Sequence, residues 1–228
     1  MSLILEVRNL KKYFPVERGI FLRSRGFVKA IDGIDFNVRK ATTLGIVGRS
    51  GSGKTTLAKL LLRLIPPTSG EIVYNPKEIT NFRKDVQIIF QNPYQSLNPK
   101  MRICDILIEP LLVHHIASKG ESRARILTSL ESVGLYEDAL TRFPLEFSGG
   151  QRQRICLARS LILEPKFLIL DEPISSLDLT RQVEILGLLK HLKEKFCLTY
   201  VFITHNLKLL RQIADSILII EKGRIKHN

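Results

Sequence analysis

A glycine-rich loop between a strand pattern and a helix pattern constrains the fold of this chain more than any other stretch. Gly48 to Thr55 read GRSGSGKT and match GxxxxGK[ST], with the apolar run TLGIV before them and a helical pattern after them. Glycines let successive backbone N–H groups face inward around an anion, and the following helix adds its positive N-terminal end. The sequence therefore predicts a phosphate-binding loop.

Two side chains of this loop have predicted roles in binding a nucleoside triphosphate. Lys54 is expected to reach the β and γ phosphates, and the Thr55 hydroxyl is expected to bind Mg²⁺. An unoccupied Gly/Ser-rich turn is the alternative, which the flanking strand and helix disfavour. The residues predicted to surround the phosphates are Gly48, Arg49, Ser50, Gly51, Ser52, Gly53, Lys54, Thr55 and Thr56.

The remaining patterns indicate an α/β protein. Near the N-terminus, residues 3–7 and 28–38 alternate apolar and polar side chains, which predicts two half-buried strands. A helix over 56–65 is expected to bury Leu57, Leu60, Leu61 and Leu64 and to end before Pro66. From residue 148 onward, strand and helix patterns alternate, which predicts a mostly parallel, buried sheet flanked by helices. These patterns are a helix at 148–163, strands at 167–170, 198–204 and 216–223, and helices at 177–195 and 207–214.

Composition and charge narrow the class of protein without deciding its function. A chain of 228 residues with 44% hydrophobic content can bury a sizeable core. It has no uninterrupted apolar run of roughly 18 residues, and its N-terminus does not resemble an export signal, so we expect it to stay in the cytosol. The net charge of +13 suits an anionic partner, but the basic residues are dispersed, which favours a solvated surface. The three cysteines lack CxxC spacing and are expected to be reduced thiols.

Two further stretches supply chemistry that phosphoryl transfer to water requires. The apolar run FLIL leads into Asp171 and Glu172, which places one carboxylate for the Mg²⁺ shell beside a candidate general base. A structural Asp-Glu helix start is the alternative. At Ser148 to Gln151 a Ser-Gly-Gly turn opens a helix and predicts a second anion-binding helix start. A head-to-tail dimer has a use for this second site, because each chain's turn can close over the γ-phosphate in its partner's loop.

Six motifs in order resemble those of the nucleotide-binding subunits of ATP-binding cassette (ABC) transporters. They cover nearly the whole chain. Beyond the motifs described above, they include the Q-loop glutamine Gln91, the D-loop from Ser175 to Asp178 and the switch histidine His205. The stretch from Phe90 to Leu111, the long loop between Phe14 and Val28, and EFSGGQRQRI resemble the oligopeptide/dipeptide/nickel importer group. The chain differs from that group at Asn92, where Asp is usual, and ends at Asn228 without the group's common C-terminal tail.

The resemblance implies roles for residues that composition and spacing alone do not assign. Gln91 would sense Mg²⁺ and the attacking water, and His205 would contact the γ-phosphate. An aromatic residue of the first strand would stack on adenine, and Phe14 is the first choice with Tyr13 as the alternative. The remaining nucleotide contacts would come from Ser148, Gly149, Gly150, Gln151 and Asp178.

The resemblance also implies a fold, a set of partners and a location. The fold is a P-loop NTPase core with a mostly parallel sheet, an antiparallel β subdomain and an inserted helical subdomain. Residues 1–91 and 164–228 are predicted to form the core and the β subdomain, and residues 92–163 the helical subdomain. The cofactors would be ATP and Mg²⁺. Partners would be transmembrane permease subunits, a second nucleotide-binding subunit as homo- or heterodimer, and indirectly a solute-binding protein, at the cytoplasmic face of the membrane.

Two other classes remain as alternatives to a transporter subunit. A soluble cassette ATPase acting on nucleic acid or ribosomes would explain the +13 charge. Such proteins commonly carry fused cassettes, coiled coils or zinc modules, none of which the sequence contains, so nucleic acid is not an expected partner. A P-loop kinase or GTPase has no use for the turn at Ser148, and this sequence lacks a GTPase base-reading motif such as NKxD.

Overall fold

The computed structural model describes residues 2–16, 26–91, 96–116, 119–175 and 177–226. The chain forms two compact units, one from Met1–Ile79 with Val201–Asn228 and one from Thr80–Tyr200. Asn92, Ser176 and most of the loop between Phe14 and Val28, all singled out from the sequence, lie outside the described residues. Within the described ranges, no helix combines the length and apolar character needed to cross a membrane.

An antiparallel sheet forms the N-terminal part of the first unit. Its strands are β1 (Leu3–Val16), β2 (Gly26–Arg39) and β4 (Ser69–Tyr74), with β1 in the centre. The register of β1 and β2 contains irregularities, and one of them skips Ala30 between the pairs Lys12–Ile31 and Tyr13–Lys29. This β-bulge bends the far end of the ribbon that carries Tyr13 and Phe14.

The rest of the first unit contains the phosphate-loop segment. Strand β3 (Thr43–Val47) is buried at all five positions and pairs in parallel with β8 (Ser216–Glu221), which turns through Gly223 into β9 (Arg224–Ile225). Burial on both faces explains why this predicted strand is a continuous apolar run. The helices of this unit are α1 (Lys54–Leu61) and α7 (Leu207–Leu210).

The predicted helix over 56–65 is wrong at its C-terminal end. Helix α1 stops at Leu61, and Leu64, predicted to be on the buried face, has 51% of its surface exposed. Arg63 has φ 54°, and the N–H groups of Arg63 and Leu64 donate to the carbonyls of Leu60 and Lys59 at 2.9 Å each. These two bonds form a Schellman motif, which ends the helix one turn before the prolines.

The second unit contains parallel strands and a group of helices. Strand β5 (Val86–Ile89) pairs in parallel with the fully buried β6 (Phe167–Asp171). Three helices pack together and bury the side chains of Ile103, Leu107, Leu130 and Ile155. These helices are Ile103–Val113, Lys119–Ser132 and Gly149–Leu161. Among the described residues of this unit the helices are α2 (Phe82–Asp85), α3 (Ile103–Val113), α4 (Lys119–Ser132), α5 (Gly149–Leu161) and α6 (Leu179–Phe196), with 3₁₀ turns at Glu137–Thr141 and Pro144–Glu146. Strand β7 (Thr199–Thr204) begins in this unit and ends in the first.

Candidate nucleotide-binding site

Lys54 is folded back over the loop that connects β3 to α1. It is the first residue of α1 and only 6% exposed, and its Nζ donates to the carbonyls of Gly48 at 2.8 Å and Arg49 at 3.0 Å. An ammonium group has three N–H donors, and these two bonds occupy two of them. The loop therefore holds a positive charge at the N-terminal end of a helix, where an anion is favoured.

Two glycines of this loop stand where any side chain would collide with backbone. A Cβ at Gly48 would lie 2.4 Å from the carbonyl oxygen of Ile220, and one at Gly53 would lie 2.2 Å from that of Ala30. Gly53 also has φ 109°, a conformation that favours glycine. The close approach of β2 and β8 thus explains why glycine is needed at both ends of the loop.

The donors of the loop fit a phosphate group. The hydroxyl of Ser52 is buried and has no hydrogen-bond partner among the described residues. A buried hydroxyl without a partner is unfavourable unless a ligand supplies one. Ser52, Lys54 and the first N–H groups of α1 together offer the donors that phosphate oxygens accept, as the sequence motif predicts.

The two aromatic candidates for adenine stacking have different surroundings. The Tyr13 hydroxyl donates to Asp32 Oδ1 at 2.5 Å, a bond that raises the pKa of Tyr13. The same bond, together with those from Arg224, lowers the pKa of Asp32 to about 2. Phe14 is 39% exposed, with the Lys12 Nζ 5.2 Å from its ring centroid. The Tyr13 hydroxyl is therefore bonded to Asp32, whereas Phe14 has no hydrogen-bonding group and is partly exposed.

The predicted switch histidine lies at the end of a buried strand. His205 is exposed and directly follows β7, all of whose residues are buried. The next residue, Asn206, caps α7 by accepting the N–H of Leu209 at 3.2 Å. The strand end and the capped helix therefore fix the backbone on both sides of His205.

In the second unit the structure brings Gln91 and Glu172 together. Asp171 is the last residue of β6 and 5% exposed, and Glu172 follows it with φ 49°. The carbonyl of Glu172 accepts bonds from the Ser175 N–H at 3.3 Å and the Ser175 hydroxyl at 3.1 Å. The Gln91 Nε2 donates to Glu172 Oε2 at 3.4 Å. Ser175 thus stabilises a left-handed backbone that a glutamate does not otherwise favour.

The predicted second anion site is the capped start of α5. The Ser148 hydroxyl accepts the N–H of Gln151 at 3.3 Å, and Gln151 Oε1 accepts the N–H of Ser148 at 2.9 Å. This capping box fixes the turn and leaves Ser148 and Gln151 exposed. Asp178 caps α6 in a similar way, by accepting the N–H of Arg181 at 3.0 Å, and is also exposed.

Comparisons with known proteins agree with these features. The family description "ABC transporter" matches residues 31–175, which is more than half of the chain. This chain belongs to the ABC transporter family. It is 42% identical to the oligopeptide transport ATP-binding protein AppF of Bacillus subtilis over 97% of its length and 70% of that protein. It is also 42% identical to the dipeptide transport ATP-binding protein DppF of Escherichia coli, over 97% of its length and 68% of that protein.

Solved structures of ABC cassettes share the fold. A dimeric post-hydrolysis state of the cassette MJ0796, bound to ADP and Pi, is 27% identical with a TM-score of 0.81 and covers 98% of this chain and 97% of that chain. Clostridium perfringens cbiO1, part of the ABC transporter complex cbiONQ, is 26% identical with a TM-score of 0.82 and covers 100% of this chain and 88% of that chain. The predicted P-loop NTPase fold and the predicted ABC ATPase class are confirmed. The comparisons give no support to the nucleic-acid alternative.

Asp32 and Ser175 were not among the residues predicted to form the site. Asp32 is one acidic residue in an alternating strand, and its partner Arg224 lies 192 positions away in the sequence. No local sequence pattern therefore predicts their contact. Ser175 falls inside the D-loop motif, but its bond to the backbone of Glu172 depends on the left-handed turn there. Both contacts are visible only in three dimensions.

Proposed function

We propose that this chain is the ATP-hydrolysing subunit that drives peptide import through a membrane ABC transporter. The observation that carries the proposal is the phosphate cradle around Lys54 and Ser52 in a member of this family. The curated relatives described above are named as oligopeptide and dipeptide transport ATP-binding proteins, which favours peptides over nickel as the transported solute.

Each predicted site residue has a role in this proposal. Phe14 stacks on adenine, while Lys54 and the N–H groups of the loop from Gly48 to Thr56 bind the phosphates. Thr55, Gln91 and Asp171 would hold Mg²⁺, which neutralises charge on the transferring phosphoryl group.

The hydrolytic step needs two further groups. Glu172 accepts the proton of the attacking water, and His205 donates a hydrogen bond to the γ-phosphate. The bond between Gln91 and Glu172 keeps the water-orienting and proton-accepting groups in contact.

Hydrolysis is proposed to take place between two chains. The exposed helix start at Ser148, Gly149, Gly150 and Gln151, with Asp178, would close over the γ-phosphate in the partner's loop. The dimeric cassette among the structural neighbours supports this arrangement. The helical subdomain, residues 92–163, would transmit the motion to permease subunits at the cytoplasmic face of the membrane. A solute-binding protein would act through those permeases, with no direct contact to this chain.

Replacing Glu172 by Gln tests the proposed chemistry. The variant keeps the size of the side chain but removes the proton acceptor, so ATP turnover should fall by about 100- to 10,000-fold while ATP binding is retained. Phosphate release and calorimetric ATP titration measure the two quantities. Glu194→Gln, at an exposed position of α6, is the matched control and should hydrolyse ATP normally. Wild-type turnover in Glu172→Gln would remove Glu172 from its role.

A further inference from the structure

The carboxylate of Asp32 joins groups from three strands of the first unit. Besides the Tyr13 hydroxyl at 2.5 Å on Oδ1, Arg224 donates to Oδ2 from Nη2 at 2.7 Å and from Nε at 3.1 Å. The Nζ of Lys29 lies 3.6 Å from the same oxygen. The Asp32 side chain is 10% exposed. Both of its oxygens are occupied, so the carboxylate acts as a fixed junction between β1, β2 and β9.

The backbone of Asp32 connects this junction to the phosphate loop. Its N–H donates to the Gly223 carbonyl at 2.8 Å, and the N–H of Gly223 donates to the Ser52 carbonyl at 3.0 Å. Gly223 is packed closely on β2, since a Cβ there would lie 2.8 Å from the carbonyl oxygen of Ala30. Two hydrogen bonds therefore lead from Asp32 to Ser52, the loop residue whose buried hydroxyl has no partner among the described residues.

The end of β1 that carries Phe14 has little support of its own. Strand β4 pairs with β1 only as far as Lys11, so the described ladder continues with β2 alone from Tyr13 to Val16. A two-stranded ribbon is marginally stable by itself. The described bonds that anchor it near Phe14 are those of Lys12 Nζ to the Pro66 carbonyl at 2.8 Å, of the Tyr13 N–H to the Thr68 hydroxyl at 3.0 Å, and of the Tyr13 side chain to Asp32. Of these, only the last connects the ribbon to β2 and the phosphate loop through a side chain.

We propose that Asp32 is a positioning residue for ATP binding, holding Phe14 at a fixed place relative to the phosphate loop through the Tyr13 hydroxyl on one side and Gly223 on the other. Asp32 itself does not touch the nucleotide. The proposal rests on the stacking role of Phe14 given under the proposed function. A preset distance between the base and the phosphates lowers the cost of ordering both contacts when ATP binds.

The affinities of the purified full chain for ATP and for inorganic tripolyphosphate test this role. Asp32→Asn keeps the size of the side chain and weakens the bond to Tyr13, so we expect a rise in the Kd for ATP of about three- to tenfold. The Kd for tripolyphosphate should not change, because this ligand has no base to stack. In steady-state hydrolysis the KM for ATP should rise and kcat should stay within about twofold.

Two variants distinguish loss of the bond between Tyr13 and Asp32 from general damage to β2. Tyr13→Phe removes only the hydroxyl and should raise the Kd for ATP by a similar factor, which also covers the case in which Asp32→Asn does not fold. Asp35→Asn is the matched control, because Asp35 lies on the same strand and accepts the Asn9 N–H at 2.8 Å. This control should bind ATP like the wild type.

A double-mutant cycle with Phe14→Ala distinguishes the proposal from its premise. If Asp32 acts through Phe14, adding Asp32→Asn to Phe14→Ala should weaken ATP binding no further. If Phe14→Ala alone leaves the ATP affinity unchanged, the proposed stacking role fails. If Phe14→Ala weakens binding but Asp32→Asn and Tyr13→Phe do not, only the positioning role is overturned. Equal loss of ATP and tripolyphosphate affinity in Asp32→Asn would also overturn it, since the effect would then lie in the phosphate loop.

Discussion

Charged side chains of the first unit are stabilised by specific hydrogen bonds. Lys54 is nearly buried, and isolated burial of an ammonium group is strongly unfavourable. The carbonyls of Gly48 and Arg49 replace part of the lost hydration and keep the charge in the loop. Asp32 is the reverse case, an anion held by a phenol and a guanidinium. Each charge is thus kept in a fixed position before any ligand binds.

The depressed pKa of Asp32 predicts how its contribution to stability depends on pH. Tyr13 and Arg224 lower this pKa from 3.8 to about 2, so the folded state favours the ionised carboxylate. The contribution is complete above the unfolded pKa and is lost as pH falls toward 2. The difference in Tm between the wild type and Asp32→Asn should therefore be constant from pH 7 to about 5 and shrink at lower pH.

Thermal unfolding at a series of pH values checks this expectation. Asp35→Asn serves as the control, because no comparable group of donors surrounds that carboxylate in the described contacts. A Tm difference for Asp32→Asn that disappears between pH 8 and 6 would contradict the assignment, since a carboxylate with a depressed pKa does not titrate there.

At the level of elements, local sequence rules predict some helix ends and miss others. The helix predicted from the Ser-Gly-Gly turn begins there, and the structure adds a capping box between Ser148 and Gln151. The end of α1 at Leu61 does not follow from the apolar pattern, because Arg63 occupies the left-handed position where glycine is usual. The prediction of this helix end failed because Arg63 adopts a backbone conformation that its residue type does not indicate.

In the candidate site, too, contiguous motifs could be predicted from the sequence, whereas contacts between residues far apart in the chain could not. The phosphate loop, the carboxylates after β6 and the helix start at Ser148 are contiguous stretches, and their motifs were sufficient to locate them. The sequence names Phe14 first and Tyr13 as the alternative, but it gives no sign of the bond from Tyr13 to Asp32 on another strand. The need for glycine at position 53 likewise has its cause in the carbonyl of Ala30.

A hydrogen bond between α1 and β4 provides a prediction at this level. The buried Tyr74 hydroxyl donates to the carbonyl of Leu61, the last residue of α1, at 2.9 Å. Tyr74→Phe should lower the free energy of unfolding by about 1–2 kcal/mol and the Tm by a few degrees. Burial raises the pKa of Tyr74 above its usual value, so the effect should be the same from pH 6 to 9.

Differential scanning calorimetry of this variant measures both quantities. Tyr136→Phe is the control, since Tyr136 is 70% exposed and the substitution there should leave the Tm unchanged. An equal loss in both variants would mean that the Tyr74 hydroxyl bond adds nothing to stability.

For the whole molecule, the proposed head-to-tail dimer predicts complementation between two inactive variants. Lys54→Ala removes the phosphate-binding cation, and Ser148→Arg blocks the exposed helix start. A mixed dimer would contain one site with an intact Lys54 from one chain and an intact Ser148 from the other. An equimolar mixture should therefore recover about a quarter of wild-type ATPase activity, because half of the dimers are mixed and each has one intact site of two.

Phosphate release from the separate variants and from their mixture gives the result. Each variant alone should be inactive and should retain the wild-type Tm to within a few degrees. Activity of the mixture no greater than the mean of the separate variants would rule out sites shared between chains.

The division of the chain into units has a consequence for its biosynthesis. The second unit, Thr80–Tyr200, is continuous, whereas the first is interrupted and needs the segment from Val201 onward. Strand β8, a parallel neighbour of β3, belongs to that later segment. During translation the second unit therefore has all of its residues before the first does. The strand leading into the phosphate loop can complete its pairing with β8 only after the ribosome has passed codon 219.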